Sequence, residues 1–310
     1  MKFFAGATVF ATLLVNQANA WGSIGHQLTG YIADHLANKH TIQVSTALLN
    51  GWNMSRTTTW ADDVKYNKSL PYGWSGPLHY IDIEDNPPHE CGLNLTRDCP
   101  DGNCIVGAIA NYTNRLDCSG KQYLPVNDRS DALKFLIHFI GDITQPLHAC
   151  NRQIGGNTAF AIFDGANTTQ YGKVQLHAIW DTYIIEKRLK NDFNDSFTAY
   201  GDFLVHQILK GAYAHHVPLW NSCLRKKSNH SKHDNHRALR CAIMWAKDSD
   251  KLDCSVVWPA YDADPKADLG LDYYKNAIPV VDMQLAKAGA RMAALLDKEL
   301  KKCHKYHSYI

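Results

Sequence analysis

The stretch Leu133-Lys134-Phe135-Leu136-Ile137-His138-Phe139-Ile140 is apolar on nearly every face of a helix. A helix from Asp131 to Asp142 is therefore expected deep inside a folded domain, with Ser130 as its N-cap. His138 and Asp142 lie four residues apart and share one side of it. His177 and Asp181 repeat the spacing within Leu176-His177-Ala178-Ile179-Trp180-Asp181. Ionisable groups are poor core residues, costing on the order of several kcal/mol unless paired. One such pair alone reads as a satisfied His–Asp hydrogen bond. Two pairs, joined by His148 after Pro146 and by His26, His79 and Asp62, point to metal ligation. Imidazole and carboxylate donors without thiolate suit catalytic Zn²⁺ with open positions.

The N-terminus adds a further donor. Lys2, an apolar run from Phe3 to Val15 and Ala18-Asn19-Ala20 form a secretory signal with an A-x-A cleavage site over residues 1–20. Cutting after Ala20 frees the α-amino group of Trp21, whose nitrogen and carbonyl oxygen can chelate a metal together with His26. The protein ligands then number nine, too many for one ion and suited to three.

Removing the signal leaves a chain from 21 to 310, long enough for one domain with a deep core. The formal charge of +2 falls to +1 when Lys2 leaves, which argues against broad electrostatic binding to duplex nucleic acid. The signal holds the one long apolar run, so no membrane span is expected. All nine cysteines follow residue 90, and a secreted chain should pair most of them. The odd count leaves one over, for which Cys303 near the tail is the candidate. Sequons at Asn53, Asn67, Asn94, Asn111, Asn167, Asn194 and Asn229 suit a secreted glycoprotein.

The remaining pattern is helical. Ile24, Leu28, Tyr31, Ile32 and His35 keep helical spacing. Pro279 is expected to open a last long helix carrying Val280, Val281, Leu285, Ala288, Met292, Leu295 and Leu296. Period-2 strands are scarce, and loops are expected at 64–77, 84–104 and 151–173. The basic stretch between Cys223 and Cys241 reads as a solvated loop closed by those cysteines rather than a nucleic-acid contact. The expected fold is mainly α: a single domain of packed helices with long loops around a trinuclear zinc cleft, spanning 21–303, with a short tail at 304–310.

Trp21-Gly22-x-x-Gly25-His26, Trp60-Ala61-Asp62 and Ser75-Gly76-Pro77-Leu78-His79-Tyr80-Ile81-Asp82 carry a resemblance. So do His138-Phe139-x-Gly141-Asp142-Ile143-x-Gln145-Pro146-Leu147-His148, Gly155-Gly156-Asn157 and His177-x-x-Trp180-Asp181. In order, spacing and residue type the chain, from Trp21 to about Glu299, resembles the zinc-dependent, single-strand-specific nuclease and 3′-nucleotidase family of mung bean nuclease and fungal secreted nucleases. The resemblance implies a secreted enzyme, expected to be monomeric, that cuts single-stranded DNA and RNA to 5′-phosphate products and hydrolyses 3′-nucleotides.

It also implies roles for individual residues. One zinc would take Asp62, His79 and His138 and share Asp142 with a second, held also by His26 and the Trp21 amine and carbonyl. A third would take His148, His177 and Asp181. Asp62, Lys65 and Asp142 would carry the chemistry, Lys65 against the substrate phosphate. Tyr80 would stack a base, Asp82 would bond its edge, and Asn157 would join them. The family pattern implies disulfides Cys91–Cys254 and Cys99–Cys104, while Cys223–Cys241 rests on the loop the two cysteines flank. Thr144 departs from the usual histidine, and Tyr80 from a frequent phenylalanine. A zinc-dependent phospholipase C, similar in fold and trinuclear site, is the alternative, and Tyr80 with Asp82 favours a nucleobase over its choline head group. A non-catalytic glycoprotein with structural zinc is disfavoured by the intact ligand set.

Overall fold

The computed structural model describes residues 21–118, 124–165, 173–225 and 235–303. The expected signal (1–20), the tail (304–310), the sequons at Asn167 and Asn229 and most of the basic loop after Cys223 lie outside those residues. The first half contains α1 (Ser23–Leu36), α2 (Lys39–Leu48), α3 (Met54–Thr57), α4 (Trp60–Tyr66), α5 (Leu95–Asp98), α6 (Ile105–Arg115) and α7 (Val126–Asp142). The second contains α8 (Leu176–Ala178), α9 (Ile184–Phe193), α10 (Phe197–Leu209), α11 (Val217–Trp220), α12 (Ser222–Arg225), α13 (Asn235–Leu252), α14 (Trp258–Ala263) and α15 (Asp272–Glu299). Two-residue strands β1 (Phe160–Ala161) and β2 (Val174–Gln175) pair antiparallel, so the architecture is mainly α.

α7 is the central element. Leu133, Phe135, Leu136, Ile137, Phe139 and Ile140 are all fully buried, each contributing roughly 1.5–3 kcal/mol of apolar burial. One core packs α7 against α2, α4 and α6, with α13 behind α6; a second gathers α1, α9, α10 and α15 around Trp21, Trp180 and Trp258. α1 touches both sides, since it packs on α15 and α7. The ionisable groups of α1 and α7 thus meet between two dry cores.

Several local expectations need correction. α7 begins at Val126, four residues before Ser130, with Pro125 at its cap position. Ser130 is a buried residue inside the helix. The last helix starts at Asp272 and Pro279 lies within it, because Tyr273, Tyr274, Ala277 and Ile278 already bury apolar surface ahead of the proline. Cys303 is not the unpaired cysteine. It bonds Cys118, and the buried Cys150 is free. The other disulfides are Cys91–Cys254, Cys99–Cys104 and Cys223–Cys241. The segments expected as loops are partly ordered, with a 3-10 helix at Gly73–His79 and α5 inside the second.

Candidate metal centre

His138 and Asp142 end α7 on its inward side, as their spacing requires. His138 Nε2 lies 3.1 Å from Asp142 Oδ2 and 3.5 Å from Asp62 Oδ1. His79 Nδ1 approaches the same two carboxylates at 3.0 and 3.6 Å. From α1, His26 Nε2 reaches Asp142 Oδ1 at 3.0 Å, its ring stacked on His138 with centroids 3.9 Å apart. That close stacking requires Gly141, where a Cβ would sit 2.9 Å from His26 Nδ1. Asp62 and Lys65, three apart on α4, both turn inward, and Lys65 Nζ donates to Asp62 Oδ1 at 2.8 Å.

A second group lies along the chain from the first. His148 Nε2 and His177 Nε2 are 3.1 Å apart, and His177 Nε2 is 3.1 Å from Asp181 Oδ2. Asp181 sits in a π turn, Ile179–Tyr183, that joins α8 to α9; such turns recur at functional sites. The Gln145 amide donates to Asp181 Oδ1 at 2.6 Å.

The orientation of these rings is fixed from behind. His138 Nδ1 bonds the Thr58 carbonyl (2.6 Å), His148 Nδ1 that of His79 (2.7 Å), and His177 Nδ1 that of Gly155 (2.6 Å). A carbonyl only accepts, so each Nδ1 carries a proton and each Nε2 faces inward, where it can give up any proton of its own to ligate a metal. Several atoms facing the centre have no aligned hydrogen-bond partner, namely His26 Nε2, Asp142 Oδ1 and Asp181 Oδ2. Buried polar atoms left this way are costly, and a shared cation would satisfy them. Three sets of donors therefore could hold a metal ion: His26, His138 and Asp142; Asp62, His79 and His138; and His148, His177 and Asp181.

The electrostatics agree. Burial pushes the His26, His79 and His148 imidazoles towards neutrality, His79 to about 4. Burial also opposes charge on His138, but Asp142 and Asp62 outweigh it and raise its pKa to about 10. Burial likewise opposes the Asp142 and Asp62 charges, yet His138 holds both carboxyls well below their ordinary range. In the protein alone, a proton on His138 supplies the positive charge that a divalent ion would displace.

Trp21 is fully buried, its indole N–H donating to Thr144 Oγ1 at 3.2 Å. The next residue, Gly22, donates its N–H to the Asp181 carbonyl at 2.8 Å and accepts from His26 N. Residues 21 and 22 are thus tied to both groups. The substrate candidates line an extended run. His79, Ile81 and Ile83 point inward while Tyr80 and Asp82 are exposed, as a period of two demands. Main-chain bonds Ile81 N to His148 O and Ile105 N to Tyr80 O fix that run. Asn157 is half-buried, and its amide donates to the Ile154 carbonyl.

Thr58, Gln145 and Gly155 position donors by backbone or amide contacts that spacing does not announce. Gln153, Ile154, Gly155 and Gly156 all have positive φ. For the β-branched Ile154, 67% exposed at φ 56°, this is a strained conformation. It marks a loop held in place for the carbonyl that orients His177.

Buried histidine–carboxylate groups in a helical frame define a protein built to hold metal ions. The S1/P1 nuclease family model matches residues 21–301. The chain is 34% identical to nuclease PA3 of a Penicillium species, covering 88% of this chain and 95% of that protein. It is 35% identical to nuclease S1 of Aspergillus oryzae, covering 93% and 94%, and 31% identical to endonuclease 4 of Arabidopsis thaliana, covering 96% and 94%. The chain belongs to the S1/P1 nuclease family, enzymes that hydrolyse phosphodiester bonds.

Proposed function

We propose that the chain, cut after Ala20, is a secreted zinc-dependent endonuclease and 3′-nucleotidase that cleaves single-stranded DNA and RNA to 5′-phosphate products. The observation that carries the reading is the inward convergence of backbone-anchored imidazole Nε2 atoms on Asp142 and Asp181. Three zinc ions would be held, by Asp62, His79, His138 and Asp142; by Asp142, His26 and the Trp21 amine and carbonyl; and by His148, His177 and Asp181. Bound zinc would supply Lewis-acid activation of water and neutralise phosphate charge.

The remaining roles belong to side chains. Lys65, half-buried and raised in pKa because Asp62 outweighs the cost of burial, keeps its proton and attracts the substrate phosphate. Tyr80 offers an exposed ring face for one base, and Asp82 on the same side accepts from its edge. Asn157 would complete that contact. A base stacked on Tyr80 must be unpaired, which selects single strands without reading sequence.

No helix among the described residues is long and apolar enough to cross a membrane. The five described sequon asparagines, Asn53, Asn67, Asn94, Asn111 and Asn194, are exposed and accessible to glycosylation. The deciding experiment measures zinc content of the cleaved protein beside its rates on single-stranded, double-stranded and phosphatidylcholine substrates. Three zincs with preferential single-strand cleavage are expected; phosphatidylcholine hydrolysis in its place would transfer the assignment to the phospholipase reading.

A further inference from the structure

A pocket of about 360 Å³ opens behind the metal centre, lined by Leu49, Asn50, Trp52, Arg56, Thr57, Thr59, Trp60, Asp63 and Lys134. The centre and the pocket share α3, α4 and α7 but use different faces. Thr58 gives its carbonyl to His138, whereas its neighbours Thr57 and Thr59 line the pocket. On α4, Asp62 and Lys65 turn inward and Trp60 and Asp63 turn out. On α7, Lys134 reaches the pocket one turn before His138.

The turn Asn50-Gly51, both residues at positive φ, presents Trp52 at 42% exposure. An indole left that open on a short turn contributes little to the core. The Arg56 guanidinium lies over its ring, and no hydrogen bond or ion pair engages that guanidinium among the described residues. Lys134 Nζ sits 4.6 Å from the Trp60 ring centroid, held by Asp131 at 3.2 Å. Asp63 is the single carboxylate in the lining, and with Lys134 paired to Asp131 the cation left unengaged beside the indole is the Arg56 guanidinium. Aromatic surface beside cations on a concave wall is the chemistry that binds single-stranded nucleic acid.

We infer that this pocket is an accessory subsite for a nucleotide of the single-stranded substrate other than the one being cleaved. Trp52 and Arg56 stack its base, and Arg56 with Lys134 attracts its phosphate. The inference rests on the nuclease reading and adds a strand contact outside the metal centre.

The test compares wild type with Trp52→Ala and Arg56→Gln on a long single-stranded oligonucleotide, a dinucleotide and a 3′-mononucleotide. Binding of a phosphorothioate oligonucleotide is read separately by fluorescence anisotropy. Trp52→Ala is expected to raise the oligonucleotide Kd and KM roughly tenfold. Its kcat, zinc content and kinetics on the two short substrates stay unchanged. Arg56→Gln should reduce the salt slope of oligonucleotide binding by about one. Equal oligonucleotide binding in wild type and Trp52→Ala overturns the subsite. So does a variant whose only change is a lower Tm in protein glycosylated at Asn53, because the indole would then serve that glycan. Binding that depends on Trp52 in a wild type that does not cleave supports the subsite and refutes the nuclease reading alone.

Discussion

His148 and His177 face each other through Nε2 atoms 3.1 Å apart, although each ring is anchored through Nδ1 to a main-chain carbonyl. Without a metal ion one of the two Nε2 atoms must carry a proton and donate to the other; a bound cation would take the place of that proton. Asp181, adjoining the pair, is held by the Gln145 amide. The same side chain accepts from Leu147 N at 2.6 Å and so caps the turn carrying His148. Gln145→Leu should therefore loosen both His148 and Asp181 and weaken metal binding at this group by about 10- to 100-fold. Zinc content after graded chelation checks this, and full retention of all zinc at wild-type chelator concentrations would refute it.

The proposed cleavage after Ala20 and the proposed Trp21 ligand are tested together at the N-terminus. A free amine with a pKa of about 7.7–8.0 must lose its proton to bind metal. Protein retaining residues ahead of Trp21 should lose most activity and one zinc while keeping its helical circular dichroism. Full activity in protein with an added N-terminal Met would remove the amine from the ligand set.

Tyr80 is exposed while its neighbours His79 and Ile81 are buried, so its side chain can be removed without opening a core cavity. Tyr80→Ala should cost roughly 1–3 kcal/mol of stacking on single strands and 3′-mononucleotides, with zinc content unchanged. A simple phosphodiester lacking a base should be hydrolysed at nearly the wild-type rate. Equal losses on all substrates would mean that Tyr80 serves His79 instead.

Away from the centre, Asp248 accepts from Lys287 Nζ at 2.8 Å and Arg291 at 2.6 Å, and both cations are buried on α15. Burial opposes the Asp248 charge, but Arg291 and Lys287 outweigh it and depress the carboxyl pKa. A depressed folded pKa stabilises the protein above the unfolded value of about 3.9, and that contribution fades as pH falls through the folded pKa. Asp248→Asn should cost about 3 kcal/mol near neutrality, the low end of a broken buried pair, because the Asp248 side chain is 34% exposed. The Tm gap between wild type and variant should be constant from neutral pH to about pH 5 and narrow below about pH 4. A gap that widens on acidification would contradict the sign.

The pattern of α7 made its burial and the shared side of His138 and Asp142 legible, because helical period and apolar run agree there. Its start was less legible. Val126-Asn127-Asp128 carry little apolar signal, and Pro125 rather than Ser130 precedes the first turn. Pro279 misleads for a related reason, since a residue favoured at helix starts is here accommodated inside a helix whose earlier turns are already packed. The pairing of Cys118 with Cys303 depends on where a chain 185 residues later returns. The donor types at the centre were readable from the motifs. The carbonyls of Thr58, His79 and Gly155 were not, because any residue type can supply them.

The donors of the centre span the chain from His26 to Asp181, on separate elements that meet only after α1, α7 and the 176–193 helical run have docked. Even the most local set, His148, His177 and Asp181, joins residues 29 apart in the chain. Contacts of such long sequence separation form late, after loop-closure entropy has been met by local structure. Metal affinity should accordingly arrive as one of the last events of folding. Bound ions would then act as a kinetic lock, slowing the escape of a finished molecule more than they speed its assembly.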